Sequence, residues 1–175
     1  MHQLKRLDSR HLEAINAHLL ELGPDDRSDR FLGAVNDDYL RRYVRDIVAT
    51  DILIGAVQEG RVIGLAHAAM YREGAEFVCE VGVSVQAGAR KQGLGKRLLL
   101  RALEAARRID VRRAIVLFRA TNHAMAGLAR SVGGRIQQNA AESCAVFAID
   151  PRCDLPLRAA RDARATRVLE STISN

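Results

Sequence analysis

The sequence predicts a mixed α/β (α+β) fold in which helices flank a central sheet. The chain has 175 residues, the size of a single domain, and its 48% apolar and 27% charged residues are typical of a globular protein. Its middle alternates apolar runs of strand length with segments of helical periodicity. We expect one domain over residues 1–150, with a ligand site at the carboxyl end of the central strand, and an Arg- and Ala-rich tail over 151–175 that is either helical or mobile.

The chain opens with a predicted strand over residues 2–8 and a predicted helix over 11–22. Apolar residues recur in the helix at the spacing of one face, and Asp8 or Ser9 can cap its first turn. The Gly-Pro-Asp-Asp sequence at 23–26 interrupts this helix. An amphipathic helix therefore follows the first strand.

Residues 25–48 predict one or two further helices, with Asn36 or Asp37 as the N-cap. Two apolar runs come next, at 52–57 and 62–70. Only four residues join them, and one of the four is a glycine. The two runs therefore predict a β-hairpin.

The most regular predicted elements are a Val-rich strand over 75–85 and a helix over 93–109. The apolar face of this helix is predicted to contain Leu94, Leu98, Ala102, Ala105 and Ile109. A buried strand is predicted at 114–118, and a helix at 122–132 ends at two glycines. Two closing strands are predicted at 134–138 and 143–149.

Composition excludes several classes of protein. No segment approaches the roughly 18 apolar residues of a membrane span, and the N-terminus lacks the pattern of a secretory signal. The three cysteines are far apart and lack metal-ligand spacing. We therefore expect no disulfide framework, no metal, no membrane contact and a cytoplasmic location.

The excess positive charge lies in one segment. Residues 86–113 hold nine basic and two acidic residues, whereas the rest of the chain holds 18 basic and 19 acidic residues. Such a local patch suits a compact polyanion at least as well as nucleic acid. With 4% aromatic residues and no recognised nucleic-acid-binding motif, nucleic acid is the least favoured partner, and we expect none.

Gly93 and Gly95 lie at the predicted start of a helix in the middle of this basic segment. The first four N–H groups of a helix have no internal partner, and the helix dipole makes that end positive, so the site favours phosphate. Arg90, Lys91 and Lys96 add full charges. The alternative is that the glycines serve tight packing alone. The sequence lacks the GK[ST] ending of a nucleotide-triphosphate loop and a full GxGxxG directly after a strand.

The segment CEVGVSVQAGARKQGLGKRLLL and the sequence after it, to about residue 135, resemble the GNAT superfamily of acetyl-CoA-dependent N-acetyltransferases. The likeness is closest to the acetyltransferase domain of bacterial protein-lysine acetyltransferases and continues more weakly over 2–149. It implies a mostly antiparallel sheet that is splayed at the cofactor site, with acetyl-CoA or coenzyme A as the co-substrate. The cofactor-binding residues that it implies are Val83, Ser84, Val85, Arg90, Lys91, Gln92, Gly93, Leu94, Gly95, Lys96 and Asn122.

The resemblance also implies a role for each group of these residues. The backbone amides from Gln92 to Lys96 would hold the diphosphate of coenzyme A. The backbones of Val83 and Val85 would pair with the pantetheine arm as an added strand, and the Asn122 side chain would reach the end of that arm.

Glu80 matches an acidic position that acts as the general base in several family members. A lysine-like amine has a pKa near 10.4, so about one molecule in 10³ is neutral at pH 7, and a carboxylate that takes the proton assists attack. Glu76, four residues earlier on the same strand face, is the rival. A purely solvated or salt-bridged Glu80 is the structural alternative.

One departure from the family pattern is Ala129, where many relatives carry a tyrosine that protonates the departing thiolate. A thiol with a pKa near 8.5 can leave as an anion, and His123 and Ser131 are weak substitutes for the acid. Two functions stay open: direct acetyl transfer to a primary amine of a small molecule or a protein lysine, or a non-catalytic acyl-CoA sensor. We expect the acceptor cleft at 23–36 and 138–141, and edge strands or the tail would support a homodimer.

Three other features are interpreted as structural. His67 reads as a half-buried, hydrogen-bonded sheet residue, and Cys79 as a small core side chain. An acidic cluster reads mainly as helix caps and solvated groups, with attraction of a cationic amine as the alternative. Its members are Asp25, Asp26, Asp29, Asp37 and Asp38.

Overall fold

A seven-stranded sheet and five α-helices make up the residues described by the computed structural model, which are 3–139 and 141–149. The strands are β1 (Gln3–Leu7), β2 (Ile52–Gln58), β3 (Arg61–Glu73), β4 (Glu76–Val85), β5 (Arg113–Arg119), β6 (Arg135–Asn139) and β7 (Glu142–Ala148). They lie in the order β1-β2-β3-β4-β5-β7-β6. All neighbours are antiparallel except β4 and β5, which are parallel. The predicted mixed, mostly antiparallel sheet is confirmed.

The helices divide between the two faces of the sheet. They are α1 (Leu12–Leu20), α2 (Pro24–Phe31), α3 (Asp37–Thr50), α4 (Leu94–Arg107) and α5 (His123–Ser131). Apolar residues of α1, α2 and α3 form one buried cluster with β1, β2 and β3. Residues of α4 and α5 form a second cluster against the other face, where alternate residues of β4 such as Val81 and Val83 point. None of the described helices has the length and apolar content of a membrane span.

Several local predictions are confirmed. Asn36 caps α3 through a bond from the Tyr39 amide (2.8 Å), and Asp8 accepts from the Arg10 amide (3.0 Å) at the 3₁₀ turn before α1. Glu59 and Gly60, both with positive φ, form the hairpin turn between β2 and β3.

The Gly-Pro sequence separates α1 from α2 as expected, and Pro24 occupies the first position of α2, where its missing N–H costs nothing. Other local predictions need correction. On α4, Ala105 is partly buried and Ile109, beyond the end of the helix, is 43% exposed. Leu99 and Ala106 complete the buried face instead. His67 is buried rather than half-buried. The tail over 151–175 and residue 140 of the 138–141 turn lie outside the described residues.

The parallel pair β4 and β5 is short. Residues 78–80 of β4 pair with 113–115 of β5, and the rungs end at Glu80 and Ile115. Beyond that point β4 continues against β3, and β5 continues against β7. The two strands therefore diverge, and one row of backbone N–H and C=O groups on β4 borders a gap. The predicted splay of the sheet is confirmed.

Candidate functional site

A cavity of about 250 Å³ occupies the gap between β4 and β5. Residues 82–85 and 116–118 form its strand walls, with Gly95 from the start of α4 and Asn122 from the start of α5. The volume is below the usual range for sites that enclose a drug-sized ligand. The gap therefore suits a slender arm of a larger ligand, whose remainder lies outside it.

The first turn of α4 lies beside this gap with its backbone donors open. Gly93 is the N-cap with a φ of +71°, and neither a side-chain cap nor an acidic residue occupies the first turn. The first helical bond runs from the Arg97 amide to the Gly93 carbonyl (3.2 Å). Within the part of the chain that the structure describes, the amides of 91–96 have no hydrogen-bond partner. Such a row of donors at a helix N-terminus is suited to a phosphate.

The contacts of Gly93 and Gly95 test the alternative that these glycines serve tight packing alone. A Cβ on Gly93 would meet no atom within 4 Å, so the glycine serves its left-handed backbone conformation and not close packing. A Cβ on Gly95 would lie 3.4 Å from Leu128 and 3.9 Å from Val85, which is ordinary contact. Tight packing therefore does not explain the glycines.

The residues assigned to the cofactor from the sequence fall into two sets around the gap. Those that line the cavity are Val83, Ser84, Val85, Arg90, Gly95 and Asn122. Those exposed on the loop and first turn of α4 are Lys91, Gln92, Gly93 and Lys96. Leu94 is 2% exposed, so its backbone alone can meet a ligand. The roles of these residues stay predictions.

Two polar side chains of the cavity wall already have hydrogen-bond partners within the protein. Asn122 accepts from the Met125 amide (2.9 Å) as the cap of α5, which leaves its Nδ2 group for a ligand. His18 Nδ1 lies 3.0 Å from the Val62 carbonyl, which can only accept, so His18 Nε2 accepts from the Ser84 hydroxyl at 2.8 Å. Burial lowers the pKa of His18 to about 4 and keeps it neutral at pH 7. Ser84 therefore offers a ligand its backbone and not its hydroxyl.

Helix α2 is tied across the mouth of the cavity by two ion pairs. Asp26 pairs with Arg90 (2.6 Å), and Asp29 pairs with Arg119 (2.6 Å). Two members of the acidic cluster are thus ion-pair partners, an arrangement that the sequence interpretation did not include. Their partners lie 64 and 90 residues away in the chain, beyond the reach of any local pattern.

Glu80 lies at the closed end of the gap, on the last rung that joins β4 to β5. It points to the same face as Ser84, the face that α1 covers, and Gly82 between them lines the cavity. Its partly buried carboxylate makes no hydrogen bond or ion pair with any described residue. Burial, and secondarily the charge of Glu80, raise the pKa of Tyr71 to about 12. Glu76 lies opposite Glu73 at the far end of β4.

The other candidates from the sequence do not join this site. Ser131 donates to the Leu128 carbonyl (2.8 Å) within its own helix, and His123 is exposed. Cys79 is fully buried, and burial raises the pKa of its thiol to about 12, as expected for a core side chain. In residues 3–139 and 141–149, no group of three or more His, Cys, Asp or Glu side chains is arranged to hold a metal ion.

Sequence reasoning missed Arg30, whose side chain reaches from α2 to the cavity wall. Its guanidinium covers Gly82, where a Cβ would clash with the Cζ atom of Arg30. An isolated glycine inside a strand signals close approach by another group, and Gly82 was that signal.

Comparisons with known proteins agree with this geometry. A family model described as the acetyltransferase (GNAT) family matches residues 17–133. Among curated proteins, none matches the sequence. The fold is similar to the GNAT domain of S. lividans PAT, at 16% identity and a TM-score of 0.71, over 83% of this chain and 89% of that one.

Two further solved structures are similar. One is ribosomal-protein-alanine N-acetyltransferase from Brucella melitensis, at 21% identity and a TM-score of 0.66, over 83% of this chain and 99% of that one. The other is a GNAT superfamily phosphinothricin acetyltransferase from Sinorhizobium meliloti in complex with AcCoA, at 16% identity and a TM-score of 0.70, over 91% and 94%. These matches confirm the fold expected from the sequence.

Proposed function

Because this chain belongs to the acetyltransferase (GNAT) family, we propose that it moves an acetyl group from acetyl-CoA directly to a primary amine, on a small molecule or a protein lysine. The observation that carries this proposal is the row of unpartnered amides over 91–96, at the mouth of the gap where β4 and β5 diverge. A diphosphate fits those donors, and an extended arm fits the gap.

The residues present fit acetyl-CoA. The amides from Gln92 to Lys96 are suited to its diphosphate, with Arg90, Lys91 and Lys96 as counter-charges. Beyond Glu80, β4 has lost β5 as its neighbour, so the backbone of 83–85 can pair with the pantetheine arm as another strand would. The Nδ2 group of Asn122 supplies a further donor in the cavity wall.

Acetyl-CoA supplies the acetyl group as an activated thioester. Glu80 then takes the proton that the acceptor nitrogen loses as it becomes an amide, because this residue lies on the last rung beside the gap and its carboxylate has no partner among the described residues. The sulfur leaves as a thiolate, for which a thiol pKa near 8.5 suffices.

A second candidate function is a non-catalytic acyl-CoA sensor. The observation that favours it is Ala129, which is fully buried where many relatives have the tyrosine acid. Turnover separates the two: a sensor binds acetyl-CoA and releases no free coenzyme A with any amine.

Thermal unfolding with a panel of acetyl-CoA, coenzyme A, ATP and NAD tests the proposed function. A ligand at 100 times its Kd adds about 2.7 kcal/mol to the free energy of unfolding. We expect acetyl-CoA and coenzyme A to raise Tm and the other two to leave it unchanged. An equal rise with ATP or NAD, or no rise with the coenzyme A pair, contradicts the proposal.

The ion pair between Asp26 and Arg90 competes with the ligand for the guanidinium. Exposed pairs of this kind contribute about 0.2–1 kcal/mol, so Asp26→Asn is expected to tighten acetyl-CoA binding by about 1.4- to fivefold. Isothermal titration at low salt measures the change. Asp38→Asn, which removes an exposed carboxylate paired with Arg41, is the matched control and should leave the Kd unchanged. Weaker binding by Asp26→Asn alone would show that this pair holds the site open.

A further inference from the structure

Arg30 brings a positive charge that has no ion-pair partner among the described residues to the wall of the cavity. Its Nη2 donates to the Tyr43 hydroxyl at 2.9 Å, and its Nε is buried without a partner among the described residues. Its Nη1 also makes no hydrogen bond there, although it lies directly over Gly82. Three of the five N–H donors of the guanidinium are therefore unfilled.

No acidic residue of the described chain forms an ion pair with this guanidinium. Asp26 and Asp29, the carboxylates that line the cavity, are paired with Arg90 and Arg119. A buried donor without a partner is unfavourable, so a purely structural role leaves this penalty unexplained. An anionic ligand in the cavity would compensate the charge of the guanidinium.

A buried hydrogen-bond chain fixes the guanidinium at this position. Burial raises the pKa of Tyr43, so its hydroxyl keeps its proton while it accepts from Arg30. That hydroxyl lies 2.6 Å from His67 Nδ1, and His67 Nε2 lies 2.6 Å from Asp51 Oδ2, with the His67 and Asp51 side chains at most 5% exposed. Arg30 donates to Tyr43, the Tyr43 hydroxyl donates to His67 Nδ1, and His67 Nε2 donates to the Asp51 carboxylate.

Aromatic rings support the same placement. The Arg30 guanidinium lies 5.0 Å from the ring centroid of Phe31 and 6.0 Å from that of Tyr43, within the range of cation–π contacts. A long side chain that is held by a hydrogen bond and two rings is preorganised, so it loses little entropy when it binds a ligand.

We propose, on the basis of the proposed function, that Arg30 binds a carboxylate of the acceptor, so that the acceptor is a small amine with a carboxylate a few bonds from its nitrogen, as in an amino acid. An arginine presents its donors as a planar fork that matches a carboxylate. Glu80 and Gly82 are two residues apart on one strand face, which is about 7 Å along the strand. That distance accommodates an amine at Glu80 and a carboxylate beside the Arg30 guanidinium. The side-chain amine of a protein lysine has no carboxylate so near it.

The first test compares matched acceptors on the unaltered protein. Coenzyme A release from acetyl-CoA is measured with the common L-amino acids and, separately, with their α-carboxamides. We expect kcat/KM to be at least about 100-fold higher for the best acid than for its amide, because the amide leaves the guanidinium without its ion pair. Equal rates for an acid and its amide overturn the assignment, while acetyl-CoA binding and amine acetylation stand.

The second test removes the charge. Arg30→Met is expected to raise the KM of the acid about 100-fold and to leave the rate with the amide within about threefold. Arg41→Met, which removes one exposed positive charge from α3, is the matched control and should change neither. Tyr43→Phe removes the hydroxyl that positions Arg30, so it should raise the KM of the acid with kcat nearly unchanged. A uniform loss with acid and amide in these variants contradicts the proposal.

The outcomes separate the two proposals. Acetylation of amines that lack a carboxylate, with none of the acids, overturns the role of Arg30 and supports transfer to another class of amine. Absence of turnover with every amine tested, a protein lysine included, despite stabilisation by acetyl-CoA, contradicts amine transfer itself and the role of Arg30 with it. If Arg30→Met does not fold, Arg30→Lys keeps the charge and removes the fork, and it should raise the KM of the acid by about tenfold.

Discussion

Replacing Glu80 with glutamine is expected to lower kcat by about 10²–10³ and to leave the Kd for acetyl-CoA within about twofold. The substitution keeps the size of the side chain and removes its ability to take a proton, and a positioned general base contributes about 10²–10⁴ in rate. The carboxylate lies on the last rung between β4 and β5 and has no partner of its own, so its loss disrupts no described contact. Steady-state release of coenzyme A measures kcat.

Glu76→Gln is the matched control, because it makes the same chemical change on the same face of β4, four residues from Glu80. It should keep kcat near that of the unaltered protein. The pH dependence adds a second readout: the neutral fraction of the amine rises about tenfold per pH unit below its pKa, so the Glu80→Gln rate should climb steeply between pH 7 and 9. Loss of activity in Glu76→Gln with Glu80→Gln unaffected would move the base to Glu76.

The elements of the fold were predictable because their signals are local. The apolar run of β4, the cap at Asn36 and the turn at Glu59 and Gly60 each depend on residues within a few positions of one another. The same holds for the α4 turn, where Gly93 and the basic residues around it are contiguous in the sequence. Local chemistry of this kind can be read without knowing the tertiary fold.

The acceptor side of the site could not be predicted in this way. Arg30 meets His67 across 37 residues and Gly82 across a still longer span, and α2 reaches the cofactor loop through the pair of Asp26 with Arg90. Each contact exists because the fold packs α2 against the sheet and the loop that precedes α4, which is a property of topology. The end of the β4–β5 ladder at Glu80 is likewise invisible in the sequence, since the apolar pattern of β4 continues past it to Val85.

Replacing Gly95 with aspartate is expected to raise the Kd for acetyl-CoA at least about 100-fold. Gly95 is the second residue of α4, so the new carboxylate would lie among the unpartnered amides and oppose the diphosphate; like charges in a binding site cost several kcal/mol. The ligand-free protein should be unharmed or slightly more stable, by about 0.5 kcal/mol, because an acidic group in the first turn suits the helix dipole. Titration calorimetry and thermal unfolding without ligand measure the two effects.

Two control variants distinguish the effect of the new charge at residue 95 from the effect of added side-chain volume and from repulsion by a negative charge elsewhere in the basic segment. Gly95→Ala adds a Cβ in ordinary contact with Leu128 and no charge, so it should change the Kd by no more than about threefold. Gly88→Asp places the same charge in open space seven residues earlier in the basic segment, away from the amide row, where solvent screens it. If Gly88→Asp weakens binding as much as Gly95→Asp does, the basic patch as a whole holds the diphosphate. A large effect confined to Gly95→Asp requires that the α4 amides themselves bind the diphosphate, because nearness to these amides is what distinguishes residue 95 from residue 88.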